Sequence, residues 1–430
     1  MNNCTTAPLP GGKRPIGWPK RLTMVILFFS SNLICYMDRL TIAITAPLIM
    51  AELGWDESVM GIILSSFFWG YTLLQIPGGW LADRYGGKKI LGTGVLWWSF
   101  FTMITPFATT ITTMAVFRAL MGLGEGVNFP SIQSLTSRWI PAGERSRVMG
   151  FTLSGISVGN ILAFPLTIWI MTTLGWRYVF YIFSFLGFIW CAFWLCLAAN
   201  RPEEHTTIHP QELDYITSNR PEISPVKKIP WKKILSKNQV WALIINHFCV
   251  SWGFFMFLTW LPTYLVKAHG FSIKEMGIYS MLPYLAMVIG SNGAGWLADY
   301  CISRTGNTTL IRKLFHSISL LSAGIFLILL AQAETKISVI TFVTLALGMM
   351  SITGSTTGPN AMDIGPRYAG VIMGMQTTAG NIAGVIVPVV VGFIVVLTNR
   401  WDLIFYSASA VLIFGAIVWN IFATGKQILD

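Results

Sequence analysis

The pentapeptide Gly79-Trp80-Leu81-Ala82-Asp83 recurs as Gly295-Trp296-Leu297-Ala298-Asp299. Each copy ends an apolar stretch long enough to cross a bilayer, and each stretch is the second of its half of the chain. Two further echoes run in the same order. Trp176, Phe180 and Tyr181 reappear as Trp401, Phe405 and Tyr406 at a constant offset of 225 residues. Met149-Gly150 and Gly159-Asn160 reappear as Met373-Gly374 and Gly380-Asn381. Chance can give one such echo. Three in one order imply duplication of a six-helix unit, and two parallel repeats flanking a mid-plane site form a transporter architecture.

The surrounding composition agrees. The 430 residues are 54% hydrophobic and 11% charged, with a mean hydropathy of +0.63. A soluble domain carries about a quarter charged residues, so this chain cannot cover a water-facing surface. Six scattered cysteines show no C-x-x-C pair and imply neither a disulfide frame nor a metal site. A helix crossing a ~30 Å hydrocarbon core needs about 20 apolar residues. That length predicts an all-α membrane protein of twelve helices: 22–50, 58–81, 88–107, 111–138, 144–172, 176–199, 239–267, 275–299, 311–333, 337–360, 367–397 and 401–424. The expected organisation is a tail 1–21, a six-helix bundle 22–199, a polar linker 200–238, a second bundle 239–424 and a tail 425–430. The first run is too long for a signal peptide.

The net charge of +11 would point to nucleic acid in a soluble protein. Here its placement points to topology. Of the 29 Lys and Arg, 22 fall on one side: Lys13, Arg14, Lys20 and Arg21, then Arg84 to Lys89, Arg138 to Arg147, the linker, and Arg304, Arg312, Lys313, Arg367 and Lys426. Only Arg177, Lys267, Lys274, Lys336 and Arg400 fall on the other. The positive-inside rule places the basic side, both termini and the linker in the cytoplasm.

Four charged residues lie well inside apolar spans: Asp38, Arg39, Arg118 and Glu125. Each costs roughly 2.5–3.5 kcal/mol at a helix centre on insertion scales, so each is expected to be paired or to line a wet cavity. Arg118 and Glu125 are seven apart and share a face, about 10.5 Å apart along the axis. Gly122 between them is expected to leave open volume there. Asp38 and Arg39 point about 100° apart. Arg39 and Arg118 are expected to fork an oxyanion, and Asp38 and Glu125 to carry the coupled proton, since burial and a neighbouring guanidinium act on a carboxyl in opposite senses. The bland alternative is two ion pairs that neutralise each other. Among uncharged residues in spans (Tyr36, Gln75, Asn128, Ser154, Asn160, Asn246, His247, Tyr284, Asn292 and Gln376 included), Tyr71 and Asn381 are the strongest candidates for substrate contact. Asp83, Arg84 and Asp299 are expected to gate, with the aspartates pairing with Arg84, Arg147 or helix N-termini.

Gly79-Trp-Leu-Ala-Asp83-Arg84-Tyr-Gly86-Gly87-Lys88-Lys89 resembles the loop signature of the major facilitator superfamily between spans two and three. Tyr36-Met-Asp38-Arg39, Ser66-Phe-Phe-Trp-Gly-Tyr71, Gln75-Ile-Pro-Gly-Gly79, Arg118-Ala-Leu-Met-Gly-Leu-Gly-Glu125-Gly126, Glu144-Arg-Ser-Arg147, Leu261-Pro-Thr-Tyr264 and Met362-Asp-Ile-Gly-Pro-Arg-Tyr-Ala-Gly370 resemble the anion:cation symporter branch. That branch includes bacterial hexuronate and sugar-acid permeases, sialin, vesicular glutamate transporters and plastid phosphate transporters. The resemblance implies alternating access, organic-anion transport and proton coupling, with Asp38, Arg39, Arg118 and Glu125 at the family's coupling and substrate positions. Val250, Leu64 and Phe129 stand where the vesicular glutamate transporters carry Arg, His and Tyr, which disfavours a dicarboxylate needing a second Arg. Amino acids or inorganic phosphate are the alternative cargo.

The expected partners are a small anionic substrate and the lipid bilayer, with no nucleic acid, no metal, no cofactor beyond a coupling proton, and a monomeric state. Gly122-x-Gly124-x-Gly126 lacks the strand a phosphate loop needs, and no nucleophile–base cluster implies an enzyme. Compact loops resemble bacterial members, so a bacterial inner membrane is the expected location.

Overall fold

The computed structural model describes residues 18–220 and 229–429. Cys4, Lys13, Arg14, Lys227 and Lys228 lie outside the described residues, as do the side chains of Ile76 and Ser146. Among the described residues there is no strand.

The first half contains α1 (Lys20–Leu53), α2 (Glu57–Tyr85), α3 (Gly87–Ile104), α4 (Ile111–Gly126), α5 (Asn128–Trp139), α6 (Arg145–Thr173) and α7 (Trp176–Leu197). Two short helices follow in the linker, α8 (Pro210–Ser218) and α9 (Trp231–Leu235). The second half contains α10 (Asn238–His269), α11 (Ile273–Thr305), α12 (Thr308–Ala331), α13 (Lys336–Met350), α14 (Thr357–Ile364), α15 (Ala369–Thr398) and α16 (Asp402–Phe422).

Among the described residues, ten helical stretches are long and apolar enough to cross a membrane. Two further rods, 111–139 and Ile273–Thr305, carry more polar residues, and their lengths are consistent with the expected twelve.

Two expected spans are broken, each for a local reason. The fourth pauses at Val127 between α4 and α5. Pro130 there lacks an N–H and its ring crowds the carbonyl of residue 126, at the end of a glycine-rich run. The tenth passes through a tight turn at Ser351–Ser355 before α14 begins at Thr357. Pro359 then falls in the first helical turn, where its missing N–H breaks no intrahelical bond.

The linker does more than connect. Glu212 of α8 accepts hydrogen bonds from the backbone N–H groups of Lys20 and Arg21, both at 3.0 Å. These are orphan donors of the first turn of α1, and the preceding Pro19 supplies no side-chain cap. Tyr215 reaches Glu144 at 3.0 Å, and Arg21 stacks over the Tyr215 ring at 4.7 Å. The linker thus clamps the ends of α1 and α6 on the face that carries the basic loops, hereafter the basic face.

The halves meet along three helix pairs, α2 with α15, α6 with α11 and α1 with α10. On α2 and α15 the contacts form a ladder. Gly392 packs on Glu57, and Gly61 on Pro388. Ser65 donates to Val385 O at 2.6 Å, Gly384 packs on Phe68, and Asn381 hydrogen-bonds Gln75. On α6 and α11, Gly277 meets Ile168 and Phe164 meets Tyr284. Lys267 reaches Glu57 at 2.7 Å beyond the ladder's far end. Toward the basic face the ladder stops: Gly79 meets only Pro130 of its own half, and Gly374 has nothing within 4 Å. The seam is closed on the face opposite the basic loops and diverges toward the basic face.

Candidate functional site

The site begins with glycines. A Cβ on Gly122 would fall on the Phe67 carbonyl and lie 3.0 Å from Tyr71 N. One on Gly126 would lie 2.7 Å from Tyr71 O, and one on Gly70 would fall on the Ala119 carbonyl. The backbones of α2 and α4 therefore touch, the small-residue contact that draws helices together in lipid. This corrects the expectation of open volume at Gly122, because the α2 backbone fills that space. The close approach brings Phe67 and Tyr71 of α2 against the charges of α1 and α4.

All four in-span charges are buried: Asp38 and Glu125 at 0% exposure, Arg118 at 2% and Arg39 at 7%. Glu125 Oε2 accepts from Arg39 Nη2 at 2.8 Å and Nε at 3.2 Å. The Cys35 thiol donates to the same oxygen at 3.1 Å. The Arg39 guanidinium also sits over three rings, Tyr36 at 4.5 Å, Tyr71 at 4.7 Å and Phe67 at 4.8 Å, a cation–π box with one carboxylate in it.

Arg118 is different. It lies 5.1 Å from the Phe67 ring, and its Nη1 is 2.9 Å from Met121 Sδ. Its Nε has no hydrogen-bond partner, and no carboxylate oxygen among the described residues lies within 4.0 Å of it. The Asp38 carboxylate faces Glu125, Arg118 and the Trp98 indole, yet no donor among the described residues meets either of its oxygens in good hydrogen-bond geometry. The second oxygen of Glu125 is equally unpartnered. The two-ion-pair alternative is therefore only half realised. One pair is closed, and one cation and one carboxylate stand without hydrogen bonds between them. A buried guanidinium with free donors is costly, and an incoming oxyanion satisfies it.

Tyr71 lies in the Arg39 box. Asn381 is 6% exposed and spans the two halves through Gln75. Asn160 Oδ1, Gln376 Nε2 and the Tyr284 hydroxyl are buried without partners, on α6, α15 and α11. Other polar candidates serve packing. Asn128 joins Ser31 and Asn32 at 2.7 and 2.9 Å, and Asn246 accepts from His316 Nε2 at 2.8 Å, because its amide nitrogen is committed to Ala242 O at 2.9 Å. Ser154 and Asn292 bond their own helices, and His247 packs against Gly380.

The residues expected to gate lie apart from this cluster. Asp83 accepts from Ser134 at 2.7 Å and lies 3.7 Å from Arg138. Of the two arginines expected to pair with it, Arg84 instead lies over Trp80 and Tyr85 at 5.0 and 5.6 Å, and Arg147 forms no ion pair among the described residues. Arg138 wins because the last turn of α5 sits beside the end of α2, whereas Arg84 follows Asp83 directly and points elsewhere around the helix. No ion pair involves Asp299 among the described residues.

Cys35, Phe67 and Trp98 belong to the site and were not singled out from sequence. Cys35 could have been found by its spacing, four residues before Arg39 on one helix face. For Phe67 and Trp98 no signal separates them from ordinary apolar packing.

A sequence profile of the Major Facilitator Superfamily matches residues 28–388. The chain is 42% identical over 415 residues to "Ascorbate transporter, chloroplastic" of Arabidopsis thaliana, covering 96% of this chain and 76% of that one. It is 40% identical to "Sodium-dependent phosphate transport protein 1, chloroplastic" of the same plant, covering 96% and 81%. It is 35% identical over 379 residues to human sialin, covering 86% and 77%. Among solved structures, a bacterial homologue of the human lysosomal transporter Spinster superposes with a TM-score of 0.78 at 16% identity, covering 95% and 97% of the two chains. The plant relatives carry chloroplast names, so the bacterial inner membrane expected from compact loops finds no support among them; a multi-pass membrane protein does. The family and these relatives are transporters rather than enzymes, and the chain belongs to the Major Facilitator Superfamily.

Proposed function

We propose that this transporter carries a small organic anion with one negative group, such as a sugar acid, together with one proton. The observation that carries this reading is the half-closed constellation: Glu125 occupies Arg39, while Arg118 and Asp38 have unmet hydrogen-bond capacity. The four formal charges cancel. A lone monoanion entering would leave a net buried charge, which is expensive in a low-dielectric interior. One proton taken up with it restores neutrality. Protonation of Glu125 loosens its hold on Arg39, so Arg39 and Arg118 together fork the anion. Release of the anion lets the ion pair reform and expels the proton. Tyr71 and Asn381 border the bound anion. The halves, 22–199 and 239–424, rock about this point, with the basic face cytoplasmic and Asp83, Arg84 and Asp299 controlling its closure. The chain acts as a monomer.

The names of the relatives support an anionic cargo, and they also favour a second reading. A phosphate carrier is 40% identical over most of the chain, and inorganic phosphate suits the same two guanidiniums. Liposome uptake of labelled sugar acids, ascorbate, sialic acid, amino acids and phosphate, under an inward-acid or an inward-sodium gradient, separates these readings. The proposal requires acceleration by the proton gradient, loss of uptake in Arg118→Ala, and substrate exchange that ignores the gradient in Glu125→Gln. Sodium-driven phosphate uptake selects the second reading. Uptake indifferent to both substitutions sinks the mechanism.

A further inference from the structure

Two adjoining cavities on the first half lie outside the transport pathway. One, of about 500 Å³, is a groove between α1 and α7 lined by Ile26, Leu33, Leu186, Ile189 and Phe193. Ile26, Leu186, Ile189 and Phe193 are all exposed on the outer surface of the bundle, where the surrounding medium is acyl chain. The other, of about 770 Å³, lies at the basic face and is lined by Lys20, Lys88, Lys89, Asn200, Glu204 and His205 among others. Thr23 and Leu197 line both. The two therefore adjoin at these residues, an apolar trough beside a cationic pocket on the basic face.

The charges in the pocket are not spent internally. Lys88 Nζ makes one hydrogen bond, to Leu195 O at 3.1 Å, and an ammonium has three donors. Among the described residues, no hydrogen bond or ion pair occupies the ammonium groups of Lys20 and Lys89. Glu204, the one carboxylate in the lining, is exposed and lies 4.0 Å from Arg201. His205 turns Nε2 toward Leu197 O at 3.2 Å. Three cations thus face one partly countered carboxylate.

We infer that this compound cavity holds one anionic glycerophospholipid of the leaflet on the basic face, its phosphate among Lys20, Lys88 and Lys89 and one acyl chain in the α1–α7 groove. Charge complementarity selects an anionic headgroup, and the apolar groove adjoining the pocket selects a lipid over a free anion. The bound lipid bridges α1, the start of α3, the end of α7 and the linker, so it braces the same corner of the basic face that Glu212 clamps.

The test uses the full chain in detergent micelles, with native mass spectrometry and thermal melting. Phosphatidylglycerol added in trace amounts is retained as a 1:1 adduct that raises the melting temperature, whereas phosphatidylcholine is not retained. The pair Lys20→Gln and Lys89→Gln weakens retention about thirty-fold, the sum of two interfacial cations. The control pair Lys232→Gln and Lys233→Gln, on the same face but outside the pocket, leaves it unchanged. Ile189→Trp, which fills the groove without touching the charges, also displaces the lipid. Equal retention in all variants overturns the inference, as does retention of phosphatidylcholine to the same degree. Protection by glycerol 3-phosphate or inorganic phosphate as strong as by the lipid, and abolished by the Lys20→Gln and Lys89→Gln pair, assigns the pocket to a free anion and overturns it too; protection that survives that pair reports binding at the transport site. None of the lipid outcomes depends on the transported substrate.

Discussion

A methyl group at position 122 has no free space to occupy. Built on the backbone, it falls on the Phe67 carbonyl and lies 3.0 Å from both Phe67 C and Tyr71 N. These are backbone atoms and cannot rotate aside. Carbon contacts settle at about 3.5–4.0 Å, so Gly122→Ala forces α2 and α4 apart by roughly 1 Å. Such overpacking costs typically 1–3 kcal/mol. The functional effect is larger, because the displaced segment carries Phe67 and Tyr71, two of the three rings around Arg39. At about 1 kcal/mol for each cation–π contact, loosening both weakens anion binding about ten- to thirty-fold. Gly374→Ala and Gly150→Ala are the internal controls. Both glycines lie in helices with nothing within 4 Å of the new methyl, and alanine gains up to about 1 kcal/mol of helix propensity over glycine. Melting of purified protein and uptake into liposomes read both effects. The controls are expected to melt at or above the parent temperature with full uptake, and Gly122→Ala below it with weakened uptake. If Gly122→Ala behaves like Gly374→Ala in both assays, the backbone contact between α2 and α4 does not exist, and the geometry of the Arg39 box must be rebuilt.

Three further outcomes are expected. Lys267 and Glu57 join the halves on the closed face at 2.7 Å; Lys267→Glu shifts the population toward opening there by a few-fold, since a surface pair contributes up to about 1 kcal/mol, and the swap Lys267→Glu with Glu57→Lys restores it in part, as read by cysteine labelling. The restoration is incomplete because a cation in the first turn of α2 meets the positive end of the helix dipole. Asp56 caps α2, and hydrogen bonds from the Ser58 hydroxyl and the Val59 N–H hold its carboxyl below the usual range. Its contribution is present above the ordinary carboxylate value and fades as pH falls through the lowered one; Asp56→Ala costs about 1 kcal/mol at pH 7 and the difference from the parent vanishes in acid melting curves. Glu212→Ala removes both acceptors at the start of α1 and is expected to cost about 1 kcal/mol, with faster proteolysis of the linker; equal cleavage rates would mean the clamp is not formed in solution.

The helices and their spacing are legible in the chain alone, because a bilayer admits few alternatives to an apolar helix of fixed length. The four buried charges are legible for the same reason: in a chain this apolar, an in-span charge is conspicuous. The internal repeat and the asymmetry of the basic loops are written there too. Whatever depends on how a helix is rotated against its neighbours came only with the packed structure. Arg118 and Glu125 share a face of α4, yet Glu125 is claimed by Arg39 of α1 at 2.8 Å and Arg118 is left open. Gly122 reads as open volume on a cavity wall on sequence grounds, and the α2 backbone occupies that space. Asp83 takes Arg138 from another helix rather than its chain neighbour. The helical period fixes which residues share a face, but the facing partner is chosen by backbone packing between segments far apart in the chain, and glycine contacts of that kind leave no periodic trace in the sequence.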